Sequence, residues 1–161
     1  MGVGVPANVE EYRLKAEFIE RFSRFVKWPE GVEPVDGRPL VIGVVGDDPF
    51  GTSLDEVARK WTEQGRPIVV QAVTRDVEGC HLLFITASEE ARLSEILATT
   101  ADRPILTIGD AKGFGERGVL INFFLDHGKV RFEVNHAAVR RSGLELSSKL
   151  LKLARDVGPK E

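Results

Sequence analysis

Short apolar runs alternate with amphipathic segments along most of this chain, and this alternation constrains its fold more than any other feature. Leu40–Val45, Ile68–Val73, Leu82–Ile85 and Ile105–Ile108 are rich in aliphatic and β-branched side chains. They are largely apolar on both faces, as strands buried in a parallel sheet are. Strands that alternate with helices predict an α/β domain in which helices cover a mostly parallel sheet.

The first predicted helix combines an apolar stripe with a charged face. Four apolar side chains recur at helical spacing and predict the side that packs on the core: Leu14, Phe18, Phe22 and Phe25. The pairs Glu11/Lys15 and Glu20/Arg24 are four residues apart, and we expect them on the outer face. Trp28-Pro29 is the expected end, because the residue before a proline is disfavoured in a helix.

Further helices are predicted between the strands and near the C-terminus. Ser53 is expected to cap the second helix and Ser88 the third, and Gly65 follows the end of the second. The segment from Asn135 to Gly143 is a fourth predicted helix. Ser147 is expected to cap a final helix that reaches Val157.

A hairpin signal lies between the third and fourth predicted helices. Val119–Leu125 and Lys129–Val134 flank the turn Asp126-His127-Gly128, and the alternation in the second run predicts one solvent-facing side, carrying Lys129, Arg131 and Glu133. The predicted architecture is a three-layer α/β sandwich, with a mostly parallel sheet, an antiparallel C-terminal hairpin and helices on both faces. We expect one domain over residues 12–157, a flexible segment over 1–11 and a tail over 158–161.

Composition excludes several classes of protein. The chain has 161 residues, 42% of them hydrophobic, and a net charge of −3, which is ordinary for a soluble domain. Its apolar runs are far shorter than the ~18 residues of a membrane span, so we expect no membrane insertion. Met1–Asn8 shows neither the basic nor the apolar region of a signal peptide. The chain is therefore expected to be cytosolic, or exported with its signal already removed.

The search for catalytic chemistry gives no enzyme signature. The glycines at 43, 46 and 51 do not match a phosphate-binding loop, and Asp47-Asp48 lacks the partner residues of a receiver domain. Cys80 and His81 are adjacent on a strand and face opposite ways, and the single cysteine is expected to be buried. The sequence predicts neither a cofactor nor a metal site.

The loops that follow parallel strands are the place for a ligand in this class of fold. One possible function is therefore that of a small-molecule or nucleotide sensor, or of an enzyme. Its pocket is then expected over six residues of this edge: Asp47, Asp48, Phe50, Ser88, Asp110 and Asn122. Asp47 and Asp48 can equally form an Asx-type turn. Asn122, a polar amide within an apolar strand, is expected to bond a neighbouring backbone or to mark a site.

Charge is unevenly distributed along the chain. From residue 129 onward eight Lys/Arg and four Asp/Glu give a net charge of +4, so the first 128 residues carry −7. This polarity is too mild for nucleic acid, and it suits either a solvated helix surface or a face toward an acidic protein partner. The candidate partner-binding residues are Arg140, Arg141, Lys149 and Lys152.

Five segments, which occur in the same order along the chain, resemble the YfiR-like family of bacterial periplasmic regulators, from Tyr12 to about Arg155. Each segment alone is weakly specific, and together they are fairly specific: the helix from Lys15-Ala16-Glu17-Phe18 to Trp28-Pro29, the loop Gly46–Gly51, Gly113-Phe114 with Ile121-Asn122-Phe123, the strand Val130–Asn135, and Arg140–Leu144 with Ser147–Leu151.

The resemblance implies a non-enzymatic periplasmic protein that binds and represses the sensor domain of an inner-membrane diguanylate cyclase, so that cyclic di-GMP and biofilm formation fall. Some relatives are expected to serve a histidine kinase instead. An exposed apolar patch around Trp28 or Phe50 is expected to support a homodimer or partner contact. The chain departs from the family in showing no signal peptide and no cysteine pair.

Overall fold

Six α-helices and nine β-strands form the part of the chain that the computed structural model describes, residues 7–34 and 37–157. The helices are Ala7–Arg24 (α1), Ser53–Glu63 (α2), Leu93–Thr100 (α3), Phe114–Arg117 (α4), His136–Ser142 (α5) and Ser148–Leu151 (α6). A 3-10 helix, Ala87–Arg92, leads into α3. The strands are Val26–Lys27 (β1), Leu40–Val45 (β2), Ile68–Val73 (β3), Leu82–Ile85 (β4), Leu106–Gly109 (β5), Ile121–Asp126 (β6), Lys129–Asn135 (β7), Glu145–Leu146 (β8) and Arg155–Val157 (β9).

The main sheet has seven strands in the order β3-β2-β4-β5-β6-β7-β9. Every neighbouring pair is parallel except β6 and β7, which form the predicted antiparallel hairpin. Both loop residues of the hairpin, His127 and Gly128, have positive φ, as a two-residue type I′ turn requires. The predicted α/β fold is therefore confirmed.

Two apolar cores lie on opposite faces of this sheet. One face, represented by Ile42 and Phe84, packs under α1 and α2. The other face, represented by Val45 and Ile85, packs under α3 and α4. Because successive strand residues point to opposite faces, the uninterrupted apolar runs of the sequence supply both cores at once.

Helix α1 buries a different face from the predicted one. Leu14, assigned to the apolar stripe, is 44% exposed, whereas Lys15 and Glu20, expected on the outer face, are each only 2% exposed. Phe22 is buried as predicted, stacked on the ring of Phe123, and Ile19 is buried beside it, so the buried face is the predicted one rotated away from Leu14. Both buried charged residues form ion pairs, which is the condition for burying a charge.

The residues just after α1 and those near residue 145 form a second, two-stranded sheet that was not predicted. Helix α1 ends at Arg24, ahead of Trp28-Pro29, and β1 pairs antiparallel with β8. Trp28 is buried against His81, so the patch expected around Trp28 or Phe50 is wrong: both rings belong to the core.

The final helix was predicted too long. Ser147 caps a helix as expected, but α6 ends at Leu151 and the chain then forms β9, which runs parallel to β7. The edge of β7 offers unpaired backbone groups, and pairing satisfies them better than a continued helix would. Glu133 is consequently buried rather than solvent-facing, because Arg155 of β9 pairs with it.

Smaller differences concern the helix starts. The N-cap position of α2 is Thr52 and not Ser53. Ser88 lies within the 3-10 helix, and α3 begins five residues later, at Leu93. Helix α5 fills the predicted segment: Asn135 caps it through its side chain, and Gly143 ends it in the left-handed conformation. Helix α1 begins at Ala7, so residues 7–11 of the expected flexible segment are helical, while residues 1–6 and the tail 158–161 lie outside the described residues.

The packing of α1 predicts a contrast between two substitutions on one helix. Phe22→Ala removes a ring that is 3% exposed, and we expect the free energy of unfolding to fall by about 3–5 kcal/mol. Leu14→Ala, at a half-exposed position, should change it by less than about 0.5 kcal/mol. Urea unfolding measures both values. Equal losses for the two variants would contradict the assigned buried face.

Candidate functional site

The place where an open α/β sheet usually binds a ligand is the crevice where the strand order reverses. Here β2 has β3 on one side and β4 on the other, so the crevice lies at the carboxyl ends of β2 and β4. Gly46 follows β2 with a φ of 101°, and a Cβ there would overlap Thr86 Oγ1 and come within 2.7 Å of Ser88 Oγ and Glu89 Cγ. At Gly46 the crevice is therefore occupied by side chains of the chain itself.

The predicted pocket residues at this crevice make bonds within the chain. The Asp47 N–H donates to Ser88 Oγ over 2.9 Å, and the Ser88 and Thr86 hydroxyls are 2.9 Å apart. Asp48 Oδ1 accepts from the Phe50 N–H over 2.8 Å, which is the Asx-type turn anticipated for this loop. The loop is held by its own polar groups.

Phe50 joins the loop to the core. Its side chain is buried, with its ring centroid 4.9 Å from that of Phe84 and 5.3 Å from that of Tyr12, both edge to face. Aromatic pairs in this geometry add to the stability gained from burial. Phe50 thus anchors the loop and the start of α1 to the sheet.

Asp110, at the end of β5, belongs to a buried charged cluster with α1. The Tyr12 hydroxyl donates to Asp110 Oδ2, and Lys15 Nζ lies 3.0 Å from the same oxygen. Lys15 also pairs with Glu11, and its ammonium lies 4.4 Å from the centre of the Tyr12 ring. Burial, reinforced by the hydrogen bond to Asp110, raises the pKa of Tyr12 above its ordinary value. The phenol therefore stays protonated as a donor, and the cluster fastens α1 across the carboxyl edge of the sheet.

Sequence reasoning missed Tyr12 and Lys15 as members of this cluster. The signal was present, since Lys15 shares the helical spacing of two buried residues, Ile19 and Phe22. The pattern cannot show that a lysine in such a stripe has carboxylate partners, because Asp110 lies 95 residues away in the sequence.

Asn122 lies in a polar row on the face covered by α4. Register places Gly109, Asn122, Glu133 and Arg155 side by side on β5, β6, β7 and β9. The Asn122 amide donates to the Ala111 carbonyl over 2.9 Å and to Glu133 Oε2 over 3.1 Å, and Arg155 donates to Glu133 Oε1 over 2.6 Å. The Asn122 contacts are thus to neighbouring groups of the chain, and a ligand at the six predicted pocket residues stays a prediction.

The opposite edge of the sheet has a cavity of about 420 Å³ beside Cys80 and His81. The Val41 N–H donates to His81 Nδ1 over 3.0 Å, and His81 Nε2 lies 2.9 Å from the Val32 carbonyl, so the ring is neutral with its proton on Nε2. Burial lowers the pKa of His81, and the hydrogen bond to Val32 opposes this in part. Burial also raises the pKa of the Cys80 thiol, so the thiol is a poor nucleophile at neutral pH.

The four candidate partner-binding residues are all exposed but lie in two places. Arg141 of α5 is 3.5 Å from Asp102 and lines a small cavity with Gly118. Lys152 lines another cavity with Arg131 on the β7 side. Their function as a partner surface stays a prediction.

Two absences apply to residues 7–34 and 37–157. No helix there is both long and apolar enough to cross a lipid bilayer. Nor does that part of the chain place three or more His, Cys, Asp or Glu side chains together as metal ligands.

The buried cluster predicts a large stability effect of Lys15. Lys15→Met leaves Asp110 buried without its ammonium partner, and we expect a loss of about 3 kcal/mol in the free energy of unfolding. Lys112→Met, at an exposed position two residues after Asp110, is the matched control and should cost less than about 0.5 kcal/mol. Chemical unfolding at pH 7 measures both. A loss for Lys15→Met no larger than that of the control would show that the pair contributes nothing.

His81 predicts a pH dependence of stability. Its folded pKa lies below the ordinary 6.5, so both states are neutral above that pH, and the unfolded chain takes up the proton first as pH falls. This contribution to stability is therefore full above pH 6.5 and is lost as pH falls from 6.5 toward the folded pKa. His81→Gln should flatten the stability profile in that window. Unfolding curves taken through the window test this, and parallel profiles for the parent and His81→Gln would contradict it.

Comparisons with known proteins agree with this architecture. A conserved domain protein from Vibrio cholerae O1 biovar eltor superposes with a TM-score of 0.60 at 15% identity, over 91% of this chain and 60% of that one. The ABC domain in complex with L-Trp from Streptococcus pneumoniae superposes with a TM-score of 0.59 at 12% identity, again over 91% and 60%. These likenesses concern the fold, and this chain spans about 60% of the length of either structure.

No curated protein matches the chain. A family model described as YfiR/HmsC-like matches residues 12–155, which includes every strand of the main sheet except the last two residues of β9. The resemblance noted in the sequence is thereby confirmed, and the chain belongs to the YfiR/HmsC-like family, a family of regulators.

Proposed function

We propose that this protein is a non-enzymatic periplasmic regulator that binds the sensor domain of an inner-membrane diguanylate cyclase and represses it. The family match over residues 12–155 is the observation that carries the proposal, because the family suggests periplasmic regulation of cyclic di-GMP signalling. In this function the protein contributes a binding surface, and its free form holds the cyclase inactive.

The filled crevice at the switch point supports a surface function over a pocket function. Thr86, Ser88 and Glu89 pack on Gly46, and Phe50 closes the loop onto the core. A ligand at that crevice would have to displace groups that already satisfy one another. Partner recognition requires no such opening.

The exposed cations near the C-terminus are the proposed docking residues. Arg140 and Arg141 lie in the last turn of α5, where a positive charge also complements the helix dipole. Lys149 and Lys152 lie on and just after α6. Exposed cations at the periphery of an interface raise the rate of association with an acidic partner and make the binding sensitive to salt.

The proposal predicts direct binding to the sensor domain of a cyclase. The purified sensor domain of a diguanylate cyclase encoded beside this protein is titrated with the full chain at low salt, by calorimetry. Replacing Arg140 and Arg141 together by Glu should weaken binding roughly tenfold or more, through like-charge repulsion. Lys60→Glu, at an exposed position on α2, is the control and should change the affinity little.

Four outcomes separate the alternatives. Absence of binding at tens of micromolar would refute the proposal for that cyclase, and binding to the sensor domain of a histidine kinase instead would redirect it to kinase control. Unchanged affinity in the double variant would move the interface away from α5. If the protein is a small-molecule or nucleotide sensor, a ligand at ~100 times its dissociation constant should add ~2.7 kcal/mol of stability, which a thermal shift screen detects.

A further inference from the structure

The free edge of β7 borders a surface cavity with a volume of about 490 Å³. Strand β9 pairs with β7 only over Glu133–Asn135. The preceding stretch, residues 129–132, has no strand partner on that side within the described chain. The cavity separates this stretch from the turn at 152–154, so a section of strand edge is open.

Two exposed leucines lie at this cavity. Among the described residues, Leu153 (70%) and Leu125 (51%) are the most exposed of the large hydrophobic side chains, and both line the cavity. Single exposed leucines are ordinary on protein surfaces. Leu125 lies on β6, paired with Val130 of β7, and Leu153 lies in the turn across the cavity from the open edge. Leu153 therefore supplies an apolar contact beside the open edge of β7.

The rim of the groove is cationic. Arg131, Lys152 and Arg155 line it, and Asp126 is the one carboxylate among its lining residues. Asp126 lies 3.9 Å from Arg131, and Arg155 pairs with the buried Glu133 while its guanidinium lies 3.9 Å from the centre of the Phe124 ring. Within the described chain Lys152 has no carboxylate within 4.0 Å, so the groove keeps a net positive charge.

From these observations we infer that the groove beside β7 binds an extended, acidic segment of a partner protein by strand addition. The segment pairs its backbone with residues 129–132, as an added strand does at an open sheet edge. Its carboxylates lie against Arg131 and Lys152, and its alternate apolar side chains contact Leu153. A second copy of this chain fits poorly, because its own groove edge would bring the same positive charges together.

The inference deepens the proposed function, and it rests on that function for the kind of protein that carries the segment. The groove chemistry itself can be tested without the cyclase. A failure of peptide binding and a failure of cyclase binding are therefore distinguishable.

The test uses a fluorescein-labelled peptide in which Glu alternates with Val, titrated with the full chain at low salt and followed by fluorescence anisotropy. We expect the acidic peptide to bind, the same peptide with Lys in place of Glu not to bind, and N-methylation of alternate peptide nitrogens to weaken binding at least tenfold. The double substitution Lys152→Glu with Leu153→Ser should also weaken binding at least tenfold. The matched control, Lys112→Glu with Val69→Ser, removes the same charge and an exposed apolar group elsewhere and should leave the affinity unchanged.

All four substituted residues are exposed, and circular dichroism melting checks that both variants remain folded. No binding of the acidic peptide up to millimolar concentration would overturn the inference. Equal weakening by the groove and control variants, or no effect of N-methylation, would also overturn it. Sedimentation in which the parent chain dimerises and Leu153→Ser does not would assign the groove to a second copy and overturn the acidic segment as its occupant.

Discussion

The ion pair between Lys15 and Asp110 fixes helix α1 on the face of the sheet that it covers. It joins the first helix to the end of a central strand, and both groups are almost completely removed from water. Such a pair tolerates little displacement, because either charge alone would be costly to bury. With Lys15 fixed, Ile19 and Phe22 contact the sheet one and two turns further along, and Tyr12 reaches Phe50 at the loop after β2. One polar contact thus orients the helix, the apolar core beneath it and the loop at the switch point.

Local pattern was sufficient for the elements that are buried on both faces. The bounds of β2 and β4 follow from their uninterrupted apolar runs, which a strand inside a parallel sheet buries on both faces. The bounds of β3 were predicted as well, although it is an edge strand with Val69, Gln71 and Ala72 exposed. The family could also be inferred, because its segments occur in order along the chain. The hairpin could be predicted for a different reason: the residues His127-Gly128 suit the tight turn between its two strands.

Elements whose state depends on distant partners could not be predicted. Arg155–Val157 has the spacing of a helix end, and it becomes a strand only because β7 presents an unfilled edge and Glu133 a buried carboxylate. Lys15 was misplaced for the same reason, since its partner comes from the end of β5. Among the candidate site residues, the sequence placed Asp47, Asp48 and Ser88 in neighbouring loops but could not show that they bond one another. Tertiary contact decides such cases and overrides local preference.

The small sheet made by β1 and β8 ties the two ends of the fold together. Val26 pairs with Leu146 across about 120 residues of intervening chain, and the Ser147 N–H donates to the Phe25 carbonyl over 2.9 Å. Contacts so distant in sequence form late, because the entropy of closing the long loop is lost before they are made. The domain therefore becomes complete only after β8 has emerged from the ribosome. Until then β1, which follows α1, lacks its partner strand, and the nascent chain stays incompletely folded, a state in which exposed apolar surface is open to chaperones.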